Sequence, residues 1–265
     1  MSGAAKPPAG AAGIGALDGT FPDSLAMGAW PAAGLGIVDD FVGTAAAPYG
    51  QLGWVAVTGG TPGGAIAQLT PTSTNDHECG LLSFTVNDAT TGSYRLIHLG
   101  TTSARPFRAC PPVGSLLMVK IRHTGSTTDP TLWVGVGEFT NIRPIIGNDC
   151  DFVGFRSVTG GNWEACQRNG TAESVADTGV APSTSADAYA QLWMRRTSAT
   201  AWSFGTFVET TGGLGGVKLT TVGSISDNVP DEPLTPMVGT YTDNAVTCGF
   251  VIDYYALVGR VRRTS

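Results

Sequence analysis

The chain has 265 residues, a formal net charge of −6 and only 14% charged side chains, with 37 Gly and 16 Pro. This composition argues against a helix-rich protein, which needs Glu, Lys, Leu and Ala at a 3.6-residue period. An acidic chain repels phosphate backbones, so no nucleic-acid partner is expected, and no apolar run reaches the ~20 residues of a membrane-spanning helix.

Residues 1–37 stand apart. Twelve of the first 17 are Gly, Ala or Pro, too little apolar surface to offset the entropy of ordering. The segment is expected to be an extended N-terminal arm, held by a partner or packed back on its own domain. Phe21, Leu25, Met27 and Trp30 are its candidate anchors. Pro7-Pro8 follows Lys6 where the apolar core of a signal peptide would stand, so synthesis in a cytoplasm is the matching expectation.

Residues 38–265 read as one domain of short strands and turns. Strands are predicted over 37–42, 51–57, 65–69, 79–86, 115–123 and 131–140, with turn residues at 58–64 and 124–130. The stretches 151–156 and 162–168 flank a Thr-Gly-Gly turn, and Asn169-Gly170 supplies the positive φ of a tight hairpin. Strands at 189–197 and 202–209 follow, and 212–218 is a glycine-rich hairpin loop without the ending of a phosphate-binding loop. In 246–258, strict alternation places Val246, Cys248, Phe250, Ile252, Tyr254, Ala256 and Val258 on one face and Asp253 on the other. About a dozen strands at this spacing predict an all-β sandwich or barrel, and no internal repeat suggests a propeller.

Candidate chemistry is sparse. The five cysteines, Cys79, Cys110, Cys150, Cys166 and Cys248, are odd in number and hold no Cys-x-x-Cys pair, which favours reduced, buried thiols. Among His77, His98 and His123, only His77-Glu78 begins a zinc-type motif, and Leu81 occupies the place of its second histidine. Asn148, Asp149 and Asp151 could line a calcium loop, but turn duty is the preferred reading; no metal and no cofactor is expected. Glycoside hydrolysis needs two carboxylates facing across a cleft. Asp39, Asp40, Glu138, Glu164 and Asp253 are the candidates, nothing in the sequence pairs any two, and the expectation is a non-enzyme. Sugar binding by aromatic stacking is the better site chemistry. Of the six tryptophans, Trp193 shares its row with Tyr189, Gln191 and Arg195, a more polar row than that of Ala188, Ala190, Leu192 and Met194. Trp193 is therefore the candidate glycan contact, with packing as its competing role.

Val153-Gly154-Phe155-Arg156, Gly161-Asn162-Trp163-Glu164-Ala165, Asn169-Gly170 and Asp177-Thr178-Gly179-Val180 together resemble concanavalin-like jelly-roll proteins of bacteriophage virions. So do the opening Val38-Asp39-Asp40-Phe41 with Trp54 and the closing 250–255. The resemblance implies a two-sheet antiparallel β-sandwich, lectin-like in form. It also implies a virion role, as capsid decoration or cement protein, head fibre, or tail fibre component. Partners would be major capsid or tail proteins and further copies of the chain, for instance in a trimer. A receptor-binding adhesin for a host surface glycan is the alternative, and a polysaccharide-degrading enzyme on the same fold the second. The matching motifs mark strands and turns, so no catalytic residue carries over.

Overall fold

The structure is a computed structural model that describes residues 35–39, 52, 54–60, 63–69, 81–87, 93–99, 110–125, 130–138, 150–158, 160–185, 188–210, 216–242 and 247–259. The proposed anchors Phe21, Leu25, Met27 and Trp30 lie outside these residues, as do Asp40, His77, Cys79, Asn148 and Asp149.

Fifteen strands are described: β1 Leu35–Asp39, β2 Val55–Gly59, β3 Ile66–Leu69, β4 Leu81–Asn87, β5 Ser93–His98, β6 Leu116–Gly125, β7 Pro130–Glu138, β8 Phe152–Ser157, β9 Trp163–Asn169, β10 Ala172–Asp177, β11 Ala190–Arg196, β12 Ala201–Thr210, β13 Gly216–Ser226, β14 Leu234–Thr242 and β15 Thr247–Gly259. They form two antiparallel sheets. The eight-stranded sheet runs β13-β12-β11-β6-β15-β4-β3, with β1 also on β15, and the seven-stranded sheet runs β10-β9-β8-β7-β14-β5-β2. This is the expected jelly-roll sandwich. Because β1 begins at Leu35, the sandwich takes in three residues that the sequence assigned to the arm.

The core lies between the sheets. Alternation puts Leu117, Val119 and Ile121 of β6 against Leu132, Val134 and Val136 of β7, all at most 2% exposed. Phe84 stacks on Phe250 with ring centroids 4.6 Å apart. Tyr255 crosses the core: its ring meets Trp54 edge-on at 5.1 Å, and its hydroxyl donates to the Gly135 carbonyl of the opposite sheet at 2.8 Å. Arg95 ties the sheets a second time, donating to the Thr85 carbonyl at 3.0 Å. The Asn-Gly hairpin forms as expected, with Gly170 at φ 57°.

Two expectations fail for identifiable reasons. Gly216, Val217 and Lys218 are not loop but the start of β13, paired with β12. Their glycine-rich surroundings masked a strand whose order comes from its neighbour. The single face predicted for 246–258 is also wrong. The ladder pairs Ile252 with Ile121 and Tyr254 with Lys120, leaving Asp253 as an extra residue in a β-bulge. Beyond it the alternation inverts. Tyr255 and Leu257 enter the core, while Tyr254, Ala256 and Val258 join a separate apolar cluster with Leu116, Met118, Trp193 and Phe207 on the outer face of the eight-stranded sheet.

Asp253 turns to that outer face and meets Lys120, with Nζ–Oδ2 at 2.8 Å and side-chain exposures of 0% and 2%. The Lys120 ammonium also lies 5.2 Å from the Tyr189 ring centroid, a favourable cation–π contact. Removing one partner strands the other's charge in an apolar site. Asp253→Ala should therefore cost about 3–5 kcal/mol in urea unfolding, and the double change Lys120→Met with Asp253→Leu should recover most of it. A double variant no better than the single one would show that the pair does not act as a unit.

Candidate functional site

The outer face of the seven-stranded sheet carries a connected group of polar and aromatic side chains. Pairing fixes its rows: Trp133, Arg156 and Glu164 stand side by side across β7, β8 and β9, and the next row two residues on holds Gly135, Gly154 and Cys166. Arg156 is the hub. Its Nε donates to Glu164 at 2.7 Å, and its two terminal nitrogens donate to both Glu173 oxygens at 2.9 and 3.3 Å. Its guanidinium carbon lies 5.6 Å from the Trp133 ring centroid, and Phe152 meets the same indole edge-on at 4.8 Å. Burial works against the arginine's charge, but Cys166 and the two glutamates outweigh it and hold its pKa above the usual value. Beside this group Asn162 donates to Asp177 Oδ2 at 3.1 Å.

The result is an acidic strip: two carboxylates share one cation, and Glu164 and Glu173 keep 26% and 36% side-chain exposure. Carboxylate oxygens of this kind accept hydrogen bonds from hydroxyl groups. Cys166, beneath the strip, is not a nucleophile at neutral pH, because burial above all pushes its thiol up to about 12. Cys110 follows the same logic at about 11. None of the four described cysteines is in a disulfide.

Among the described residues, the carboxylates named from sequence do not converge; the Asp39 backbone pairs with Tyr255 on the eight-stranded sheet. Asp253 lies on that sheet too. Glu138 and Glu164 sit at opposite ends of the β7–β9 ladder and on opposite faces, about 17 Å apart along the strand direction at ~3.4 Å per residue. Asp151 accepts backbone N–H groups from Gly170 at 2.9 Å, Asp231 at 2.6 Å and Glu232 at 2.8 Å. It is a staple between two turns, its oxygens already occupied by donors.

Trp193 also departs from expectation. It lies on the outer, more polar face, as its row implied, yet it is only 4% exposed, and its indole N–H is shared between the carbonyls of Thr206 at 2.9 Å and Thr220 at 3.1 Å. Met118 and Phe207 belong to the same buried cluster, and at 4% exposure Trp193 offers no ring face to a sugar. Sequence alternation finds the face of a strand, not what lies over it. The Arg156 hub was missed because Glu173 is nine residues from Glu164 in sequence, and only the Asn169-Gly170 hairpin brings them together.

His98 is buried on the outer face of the seven-stranded sheet and His123 in the core, so they form no common site. His123 packs edge-on against Trp163 at 5.5 Å, neither ring nitrogen has a hydrogen-bond partner, and burial lowers its pKa from 6.5 to about 4.

No protein-family model matches this sequence, and no curated protein matches it. Solved structures do match. A proposed beta-glucanase from Mycobacterium abscessus is 12% identical over 84% of this chain and 99% of its own, with a TM-score of 0.51. A beta-glucanase from Bacillus licheniformis is 10% identical over 85% and 98%, with a TM-score of 0.49. A legume lectin-like domain from Entamoeba histolytica is 10% identical over 78% and 90%, with a TM-score of 0.40. At such identities the likeness is one of fold.

Two outcomes follow from this geometry. Arg156→Gln leaves two carboxylates side by side and uncovers Trp133; the partly exposed pairs should cost about 1 kcal/mol in urea unfolding, with a red shift of tryptophan emission. His123 stays neutral when folded, so from pH 6.5 down to about 4 the unfolded chain binds the extra proton and stability falls, by at most about 3 kcal/mol. His123→Leu should remove that part of the pH dependence; an unchanged slope between pH 6.5 and 4 would show that another group carries it.

Proposed function

We propose that the chain is a non-enzymatic structural protein of a bacteriophage particle, a capsid decoration or fibre component that displays its jelly roll as a rigid module. The observation that carries this reading is the closure of both sheets. Trp54, Trp133, Trp163, Trp193 and Trp202 are each at most 4% exposed, and Glu164, Glu173 and Asp253 are each held by a cation. A sandwich built this way offers shape and stability rather than a reactive group. The resemblance of 38–41, Trp54, 153–156, 161–165, 169–170, 177–180 and 250–255 to virion jelly-roll proteins is what suggests the particle.

A second reading rests on the strip of Asn162, Glu164, Glu173 and Asp177. These side chains could accept and donate hydrogen bonds to a host glycan, and the fold is shared with the beta-glucanase-like chain from Mycobacterium abscessus.

Antibody against this chain, applied to purified particles from a host culture that expresses it, should label intact particles at a fixed position. Recovery of the chain only in the particle-free fraction would refute the virion reading. Binding on a glycan array that Glu173→Ala reduces at least roughly tenfold, without loss of stability, would replace it with the second.

A further inference from the structure

The outer face of the eight-stranded sheet poses a specific problem. Leu116, Met118, Trp193, Phe207, Tyr254 and Val258 form an apolar stripe across β15, β6, β11 and β12, and none is more than 8% exposed. The seven-stranded sheet lies on the opposite face, and no described strand stacks on this one. A stripe this size, if bare, would be a large exposed apolar patch.

We infer that the outer face of the eight-stranded sheet is a docking surface for the chain's own N-terminal segment, residues 1–34. Chain continuity is the first support. β1 pairs with the C-terminal half of β15, and Leu35 stands opposite Gly259. The segment therefore enters beside Val258 and Leu116, at one margin of the stripe. Reach is the second. From β15 to β12 is three strand spacings, about 14 Å at ~4.8 Å each, while Trp30, five residues before Leu35, can extend about 17 Å and Phe21 about 45 Å. Composition is the third. Residues 1–34 carry Ile14, Leu17, Phe21, Leu25, Met27 and Trp30 with three charged residues, Lys6, Asp18 and Asp23. Two other segments next to this sheet fit worse: 70–80 is mostly polar and tethered at both ends by β3 and β4, and 260–265 is six residues with three arginines. A segment seated on its own sheet is not free to tether the chain to a neighbour, so attachment to a particle would fall to another surface. The inference is independent of the proposed function.

The test uses the full chain with photoreactive p-benzoylphenylalanine in place of Trp30. Irradiation should link it to peptides containing Met118, Trp193 or Phe207. In an equal mixture of nitrogen-14 and nitrogen-15 protein, the linked peptides should carry a single isotope. Links to Tyr94 or Met237 on the other sheet, mixed-isotope links that mark a second copy's segment, or no link to the sandwich would each overturn the inference. A second measurement needs no cross-link. In Leu25→Ser with Trp30→Ser, peroxide oxidation of Met118 should rise at least roughly fivefold relative to Met194, which faces the core. An unchanged ratio in a variant with the wild-type circular-dichroism spectrum also overturns it.

Discussion

Strand β15 is the axis of the eight-stranded sheet, and it has to serve two sets of neighbours. Its first half pairs with β4 and its second with β1, while β6 runs along the whole of its other edge. One extra residue, Asp253, accommodates this. A bulge inverts the side-chain alternation, so Phe250 and Ile252 can face the core before it and Tyr255 and Leu257 after it. Without the inversion Tyr255 would point outward, and the hydroxyl that joins it to Gly135 across the core would be lost. The bulged residue is a carboxylate in an apolar site, which is tolerable only because Lys120 of β6 meets it directly. A slip of β6 by one residue would send Lys120 to the other face and leave both charges stranded. The ion pair thus penalises wrong registers more than it adds to stability, since a hydrophobic pair of equal volume could stabilise the fold as well.

The seven-stranded sheet solves a different packing problem. Gly135 and Gly154 stand opposite each other on β7 and β8, and a Cβ on either would collide with the other strand's backbone. Their missing side chains leave a shallow trough on the outer face. Phe152 fills it: its ring tip would lie 3.1 Å from a Cβ on Gly135 and 2.8 Å from one on Gly154. Met237 fills the adjoining space over Gly137. The sheet therefore covers its own trough with its own side chains, and Arg156 lies over the indole that remains. Beside this covered trough, at the β9–β10 margin, Glu164 and Glu173 keep part of their surface in solvent.

These two devices mark the boundary of what the sequence could reveal. The sandwich, most of its strands and the Asn-Gly hairpin were legible because they rest on local signals: period-two alternation and turn residues. β13 was not, since its Gly, Thr and Ser residues carry little strand signal alone and take their order from β12. Nor was β14, in which Pro236 interrupts the pattern. The bulge was hidden for a stronger reason. Both rows of 248–258 are apolar, so an inverted alternation is as plausible by composition as an uninterrupted one, and Asp253 is the one residue that breaks the pattern. The Arg156 hub depends on three strands meeting, and Trp193 looked available because alternation reports facing and not cover.

Charge is scarce in this chain, and where the sandwich uses it the charges are mostly committed to internal contacts. Lys120 and Asp253 pin a register, Arg156 gathers two glutamates, Arg95 bridges the sheets, and Arg196 donates to the carbonyls of Cys110 and Ser198. Asp151 gathers three backbone N–H groups from two turns. Catalysis asks for the opposite arrangement, with charged groups left under-satisfied and aimed at a cleft so that a substrate completes them. Among the described residues, these charged groups fix registers, turns and the contact between the sheets instead. The partly solvated Glu164–Glu173 margin departs from that pattern, since each carboxylate keeps part of its surface in solvent beyond the Arg156 contact.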